Sequence, residues 1–261
     1  MAKRGRPRKN AIVEKPIMKN LQLTRMEDVK FDQSLFTPIK TNTIVDSILS
    51  TEGGVFPGTN TVVIGDPGVG KSTVLLDWLA NFQASGKQVL FISGEMNEID
   101  MFGYAKRFPK FGKLPILFMQ QYANNAQGAI EAVFDQGYDI ILIDSWAEIN
   151  DMVQEENGWT RKKAESWLLD LMDKHNKADN QRNKHTAFIC IQQMTKGGDF
   201  AGSNRIKHMT TAMAHLKFDG RGRDAARFIS FSKNRRGDVG EKIYFSLWRK
   251  GNVEYNFEEI S

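Results

Sequence analysis

Residues 65 to 73 read Gly65-Asp66-Pro67-Gly68-Val69-Gly70-Lys71-Ser72-Thr73 and fit the spacing G-x-x-x-x-G-K-[ST] without a mismatch. Residues of these types in this order can hold phosphate. The glycines let main-chain N–H groups close around phosphate oxygens, and the start of a following helix adds partial positive charge. Lys71 has the length to reach β- and γ-phosphates, and the Ser72 hydroxyl can hold Mg²⁺. The flanks suit the motif. Thr61 to Ile64 is a β-branched run that predicts a buried strand. Val74, Leu75, Leu76, Trp78 and Leu79 follow at helical spacing.

Other residues stand where chemistry would need them. Asp144 follows the apolar run Ile140 to Ile143, and a carboxylate at the end of a buried strand can hold or orient Mg²⁺ beside a phosphate loop. Glu95 follows a second strand and can take the proton of a water attacking a γ-phosphate; an exposed, salt-bridged Glu is the other reading. Gln193 ends a further strand, where its amide can touch the γ-phosphate. Gln192 has the opposite pleat direction, so one of the two faces the nucleotide, and Gln193 is the choice made here. Lys196 to Arg205 is a Gly-rich loop past that strand. Its Lys196, Phe200 and Arg205 suit phosphate contact and base stacking. Lys233-Asn234-Arg235-Arg236-Gly237 follows a β-rich stretch. It reads either as a solvated turn or as a cation set for the γ-phosphate.

The expected elements alternate. Helices are predicted over 43–49, from Val74 to about Ser85, and over 99–108, 126–136 and 161–175. Strands are predicted at 61–64, 88–93, 116–119, 139–143, 187–191, 228–233 and 243–248, the last two as a possible pair. Strands alternating with helices argue for an α/β fold with a mostly parallel sheet covered on both faces.

The chain has 261 residues, 41% hydrophobic and 26% charged, ordinary for a soluble globular protein with one large α/β domain. Its single cysteine, Cys190, excludes an internal disulfide and a cysteine zinc cluster, and points to a reducing cytoplasm. No apolar run suits a membrane span and no secretory signal is evident. The net charge is +5, and residues 1–20 alone hold seven Lys and Arg against Glu14, so the rest is nearly neutral. This tail lacks apolar periodicity and reads as disordered. Its Arg4-Gly5-Arg6-Pro7-Arg8 segment resembles an AT-hook, whose arginines enter the narrow minor groove of A·T-rich DNA. A solvated basic tail or a nuclear address is the alternative. The organisation expected is a tail at 1–20, a linker at 21–42 and a core at 43–261.

Several segments together resemble the ATPase core of the RadA/Sms family, and more broadly the RecA-fold group that includes DnaB-type replicative helicases. Gly53 to Gly58 leading into the phosphate loop, Phe91-Ile92-Ser93-Gly94-Glu95, Met194 to Lys196 with Ala201-Gly202, and Lys207-His208-Met209 are similar to that family's motifs. Lys233 to Gly237 resembles its K-N-R-F-G signature and the K-x-R-x-G of DnaB-type helicases. The similarity runs over roughly residues 43 to 250. It implies a RecA-like P-loop core using ATP and Mg²⁺, with Glu95 as catalytic base and Gln193 as γ-phosphate sensor. Lys233 and Arg235 would reach the nucleotide of a neighbouring subunit, in a ring that the family implies is hexameric. The family's N-terminal zinc module and C-terminal protease-like domain are not found. Arg236 stands where the family has Phe, Thr211 where Asp is usual, and Gln193 is the DnaB-like choice over His. Such minimal cores occur in phage and plasmid replication systems, one origin consistent with this chain. The expected function is an ATP-dependent DNA motor, a helicase or branch-migration ATPase on single-stranded or branched DNA. A strand-exchange recombinase or helicase loader on the same fold is an alternative, and a nucleotide-gated DNA-binding adaptor is another.

Overall fold

β-Branched and aliphatic runs become strands here because both of their faces are buried, and the amphipathic stretches between them supply the covering helices. The computed structural model describes residues 23–192, 204–220, 222, 225–247 and 251–258. The chain divides into two units, up to Asp32 and from Gln33 onward. The described part of the first holds one 3-10 turn, Met26–Asp28.

The second unit runs α1 (Asp46–Leu49), β1 (Asn60–Gly65), α2 (Lys71–Ala84), β2 (Val89–Ser93), α3 (Glu98–Arg107), β3 (Ile116–Phe118), α4 (Ala126–Phe134), β4 (Ile140–Asp144), α5 (Trp146–Asn157), α6 (Arg161–Asn176), β5 (Ala187–Ile191), α7 (Asn204–Met209), β6 (Ala212–Asp219), β7 (Ala226–Asn234), β8 (Lys242–Leu247) and β9 (Val253–Asn256). The nine strands form one sheet in the order β3-β2-β4-β5-β1-β6-β7-β8-β9. Pairings from β3 to β6 are parallel, and those from β6 to β9 are antiparallel.

Strand pleat divides the core in two. Val63, Phe91, Leu142 and Ile189 face one cluster, with Val74, Leu75, Trp78 and Phe82 of α2. Val62, Ile64, Ile92, Ile143 and Phe188 face the other, with Ile130 of α4, Ile149 of α5 and Leu168 of α6. Each fully buried aliphatic or aromatic side chain contributes about 1.5–3 kcal/mol of transfer free energy. Most buried residues of β6 to β8, among them Leu216, Ile229, Phe231, Ile243 and Phe245, join the α2 side, so this half of the sheet is packed chiefly on one face.

The structure departs from the sequence expectations in four places. The helix expected over 43–49 is shorter, because the Asp46 carboxylate accepts from Thr41 N at 2.8 Å and Asn42 N at 2.9 Å and holds the entering chain in a turn. α4 stops at Phe134, and Gly137 turns the chain at φ 71°. α5, α7, β6 and β9 were not anticipated. Residues 33–42, read as linker, lie in the second unit, where Ile39 N donates to Val55 O at 2.7 Å and Val55 N to Ile39 O at 2.8 Å. Among the described residues no helix is long and apolar enough to cross a membrane. Cys190 is buried, and burial pushes its thiol well above the ordinary range.

Candidate nucleotide site

The phosphate loop leaves β1 at Gly65, where a side chain would not fit: a Cβ there would lie 2.2 Å from Leu216 O on the paired β6. Asp66 N donates to Leu216 O at 3.2 Å, and the Asp66 carboxylate accepts from Phe218 N at 3.3 Å, so β6 fixes the base of the loop. Pro67 and Gly68 are exposed at its tip, while Val69 is fully buried and anchors it. Gly70 caps α2 at φ 103°, a conformation glycine adopts without strain. A side chain there would also strike Leu247 of β8, 2.5 Å from its Cδ1. Thr73 is buried in the first turn of α2.

Three strand ends converge on this loop. Lys71 Nζ donates to Gly65 O at 3.0 Å and Asp66 O at 3.1 Å. Burial lowers the pKa of its ammonium, against the nearby charges of Asp144, Asp66 and Glu95. Ser72 Oγ donates to Asp144 Oδ2 at 2.5 Å, joining the first turn of α2 to the end of β4. Gly94 N donates to Asp144 O at 2.8 Å, which sets the chain that carries the exposed Glu95 beside β4. Gln120 Nε2 donates to Glu95 O at 3.3 Å. The Asp144–Ser145 peptide is cis.

The Ser72 hydroxyl and Asp144 carboxylate form a hard oxygen pair of the kind Mg²⁺ selects. Asp144 is 4% exposed, and burial raises its carboxyl to about 6. The Ser72 hydrogen bond and Lys71 pull the other way, and the Glu95 charge adds to the rise. A buried carboxylate so short of countercharge fits a divalent cation. Because the folded-state pKa lies above the unfolded one, ionised Asp144 destabilises the fold. The penalty is absent below the unfolded value of 3.8, grows as pH rises and is full above about 6. It is on the order of 3 kcal/mol. Asp144→Asn is therefore expected to lose Mg²⁺-dependent turnover yet melt several degrees higher than the parent at about pH 8 without nucleotide, with the gain vanishing at about pH 4. Thermal melts at the two pH values check it.

The other expected site residues fall elsewhere. Gln192 is 2% exposed, and its N–H donates to Val63 O at 2.9 Å. Gln193, Lys196 and Phe200 lie outside the described residues, as do Arg4, Gly5, Arg6, Pro7 and Arg8. Arg205, on α7, is held on α6 by Ser166 Oγ and Asp170 Oδ1. Lys233 and Arg235 sit at the far end of the sheet from the phosphate loop. Asn234 pairs with Ala212, which pairs with Thr61 near the start of β1, whereas the loop begins after Gly65. The register puts roughly 16 Å of strand between Arg235 and the loop. Lys233 Nζ donates to Lys207 O, and Arg235 Nη2 to His208 O at 3.0 Å. Arg236 lies over the Phe56 ring at 4.9 Å, and a polar recess of about 390 Å³ opens between Arg235, Arg236, Glu52 and Asp238.

Sequence reading missed two features of interest. Glu148, in the first turn of α5, is electrostatically coupled to Glu95; its place four residues after Asp144 was the available signal. Lys163 lies 4.1 Å from the Trp159 ring centroid, next to Arg161 and Lys162 at the start of α6. A basic triplet beside a Trp was the signal there.

No protein-family model matches the chain. Curated relatives do. It is 28% identical over 205 residues to the DNA repair protein RadA of Mycobacterium tuberculosis, covering 76% of this chain and 40% of that protein. It is 29% identical over 237 residues to the DNA repair protein RadA of Campylobacter jejuni, covering 90% and 50%. The chain thus spans two-fifths to one-half of the length of these relatives. Among solved structures it is similar to a KaiC-like protein of Pyrococcus horikoshii, with TM-score 0.62, 17% identity and coverage of 84% of this chain and 99% of the other. It is also similar to the flagellar accessory protein FlaH of Methanocaldococcus jannaschii, with TM-score 0.60, 13% identity and the same coverage. In sequence the chain is similar to RadA proteins, and its fold is of the RecA type.

Proposed function

We propose that this chain is a Mg²⁺-dependent ATPase that acts on DNA as a ring, each site being completed by a neighbouring protomer. The observation that carries this reading is the opposed placement of the two halves of the site. Lys71, Ser72, Asp144 and Glu95 gather at the carboxyl ends of β1, β4 and β2, and Arg235 stands at the other end of the sheet. A guanidinium so placed serves a nucleotide only in the next copy.

Main-chain N–H groups of residues 68–71, with the Lys71 ammonium, hold the triphosphate. Ser72 and Asp144 hold Mg²⁺, which neutralises charge on the phosphate oxygens when bound. Glu95 takes the proton of the attacking water. Arg235, with Lys233, stabilises the charge that grows on the γ-phosphoryl group. Gln193 couples phosphate release to residues 196–205, of which Lys196, Phe200 and Arg205 contact single-stranded DNA. Arg161, Lys162, Lys163 and Trp159 extend that surface, as a basic and aromatic set at the start of the helix that holds Arg205. Arg4 to Arg8 tether the ring to A·T-rich duplex. The identity of the RadA relatives as DNA repair proteins supports DNA as partner.

The test is ATPase rate with and without single-stranded DNA, with particle mass measured in ATP. Several-fold stimulation together with a multimer is the expected result. An unstimulated ATPase that binds DNA and separates no forked duplex would favour an adaptor, and open filaments would favour a recombinase.

A further inference from the structure

α7 joins two sets of side chains that have separate roles in DNA contact and in hydrolysis. Near its start, the Arg205 guanidinium donates to Ser166 Oγ and Asp170 Oδ1 of α6. At its end, Lys207 O accepts from Lys233 Nζ, and His208 O accepts from Arg235 Nη2 at 3.0 Å. The backbone continues the connection. Thr210 N donates to Ile206 O at 2.9 Å, Thr211 N to Asn60 O at 2.7 Å and Arg235 N to Thr211 O at 3.1 Å. One short helix thus stands between Arg205, proposed to touch DNA, and Arg235, proposed to reach the nucleotide of the next copy.

Both ends are held by contacts that can be exchanged. The Arg205–Asp170 pair is open to water, its side chains 42% and 66% exposed, and such surface pairs are weak. Phosphate oxygens offer a guanidinium the same bidentate, charge-assisted contact as a carboxylate does. A DNA backbone therefore competes with Asp170 for Arg205. At the other end, the last carbonyls of a helix carry partial negative charge and attract cations, which keeps Lys233 and Arg235 on their own protomer. Beneath α7 lies a small, mostly apolar cavity lined by its Ile206 and Met209 and by Trp146, Leu169 and Met172. The helix therefore has room for a small shift.

We propose that the Arg205–Asp170 pair is a DNA-sensitive latch that keeps the trans-acting cations parked. When it is closed, α7 stays on α6, and Lys233 and Arg235 stay on the carbonyls of α7. A strand that draws Arg205 away from Asp170 loosens α7, and Arg235 is released toward the γ-phosphate of the neighbouring site. Asp170 thus regulates turnover without touching nucleotide. The latch rests on the readings of Arg205 as a DNA contact and of Arg235 as a cation lent in trans.

Steady-state ATPase of the full chain with and without oligo-dT, and oligo-dT affinity by fluorescence anisotropy, test this in Asp170→Asn, Asp170→Glu, Arg205→Ala and Arg235→Ala. Asp170→Asn is expected to raise the DNA-free kcat about fivefold or more and to bind oligo-dT more tightly. Arg205→Ala should raise the DNA-free kcat likewise while binding oligo-dT more weakly. In both, DNA should add little further stimulation, whereas Asp170→Glu, which keeps the pair, should behave as the parent does. A parental or lower DNA-free kcat in Asp170→Asn, while Arg235→Ala is inactive, overturns the latch alone. Tighter DNA binding without that faster rate would then reflect only the removal of a negative charge. A faster rate that comes with a change of particle mass assigns the pair to assembly and also overturns the latch. Parental turnover in Arg235→Ala, or no stimulation of the parent by oligo-dT, overturns the reading beneath the latch and the latch with it.

Discussion

Lys71→Ala is expected to abolish ATP turnover and leave the fold intact. The ammonium is half-buried and donates to two carbonyls of its own loop, Gly65 O and Asp66 O, so it is already held over the loop proposed to cradle phosphate. Removing a preorganised cation from a site where charge develops costs at least about 10²–10³-fold in rate. Stability should change little, because α2 is anchored by Val74, Trp78 and Phe82, all fully buried, and not by Lys71. Turnover by a coupled phosphate assay and a thermal melt read the two effects. A parental rate in this variant would rule out the site.

Arg235→Ala is expected to lose nearly as much rate by another route. An arginine finger lent in trans is worth about 10³-fold or more in kcat. Arg235 lies at the opposite end of β1 from the phosphate loop, with its guanidinium on His208 O. The variant protomer should therefore bind nucleotide as well as the parent while kcat collapses. Titration with a fluorescent ATP analogue under conditions that keep protomers apart, set against kcat in the assembled state, separates the two quantities. Weakened binding in isolated protomers would mean that Arg235 acts on its own nucleotide.

Much of the loop was legible because its geometry is written in residue types. Gly68 and Gly70 take positive φ, and the Thr61 to Ile64 run feeds the loop as a buried strand. Asp144 was legible as the acid closing the run Ile140 to Ile143, and the structure makes it the last residue of β4. α5 was passed over although Trp146, Ile149 and Val153 recur at helical spacing, because polar residues between them dilute the signal. β6 alternates buried Ala212, Ala214 and Leu216 with Met213, His215 and Lys217, but two of its inward residues are alanines, which carry little strand preference. β9 is a four-residue edge strand held partly through Tyr255 OH on the buried Asp77 at 3.0 Å. That contact joins residues 178 apart, beyond any local pattern. Leu247 against Gly70 and Gly94 against Glu148 are likewise contacts that only the folded chain makes. The run of cations around Lys233 and Arg235 was legible as a run, but its side of the sheet follows from the antiparallel register of β6 and β7.

An equal mixture of Lys71→Ala and Arg235→Ala protomers, each inactive alone, measures most directly whether the site is shared. If one copy supplies the phosphate loop and the next supplies the guanidinium, about a quarter of the interfaces in a randomly mixed ring are intact. The mixture then regains a comparable share of parental turnover. If mixing leaves activity at the sum of the two residual rates, although both variants enter the same particles, each protomer works alone and the shared site is wrong.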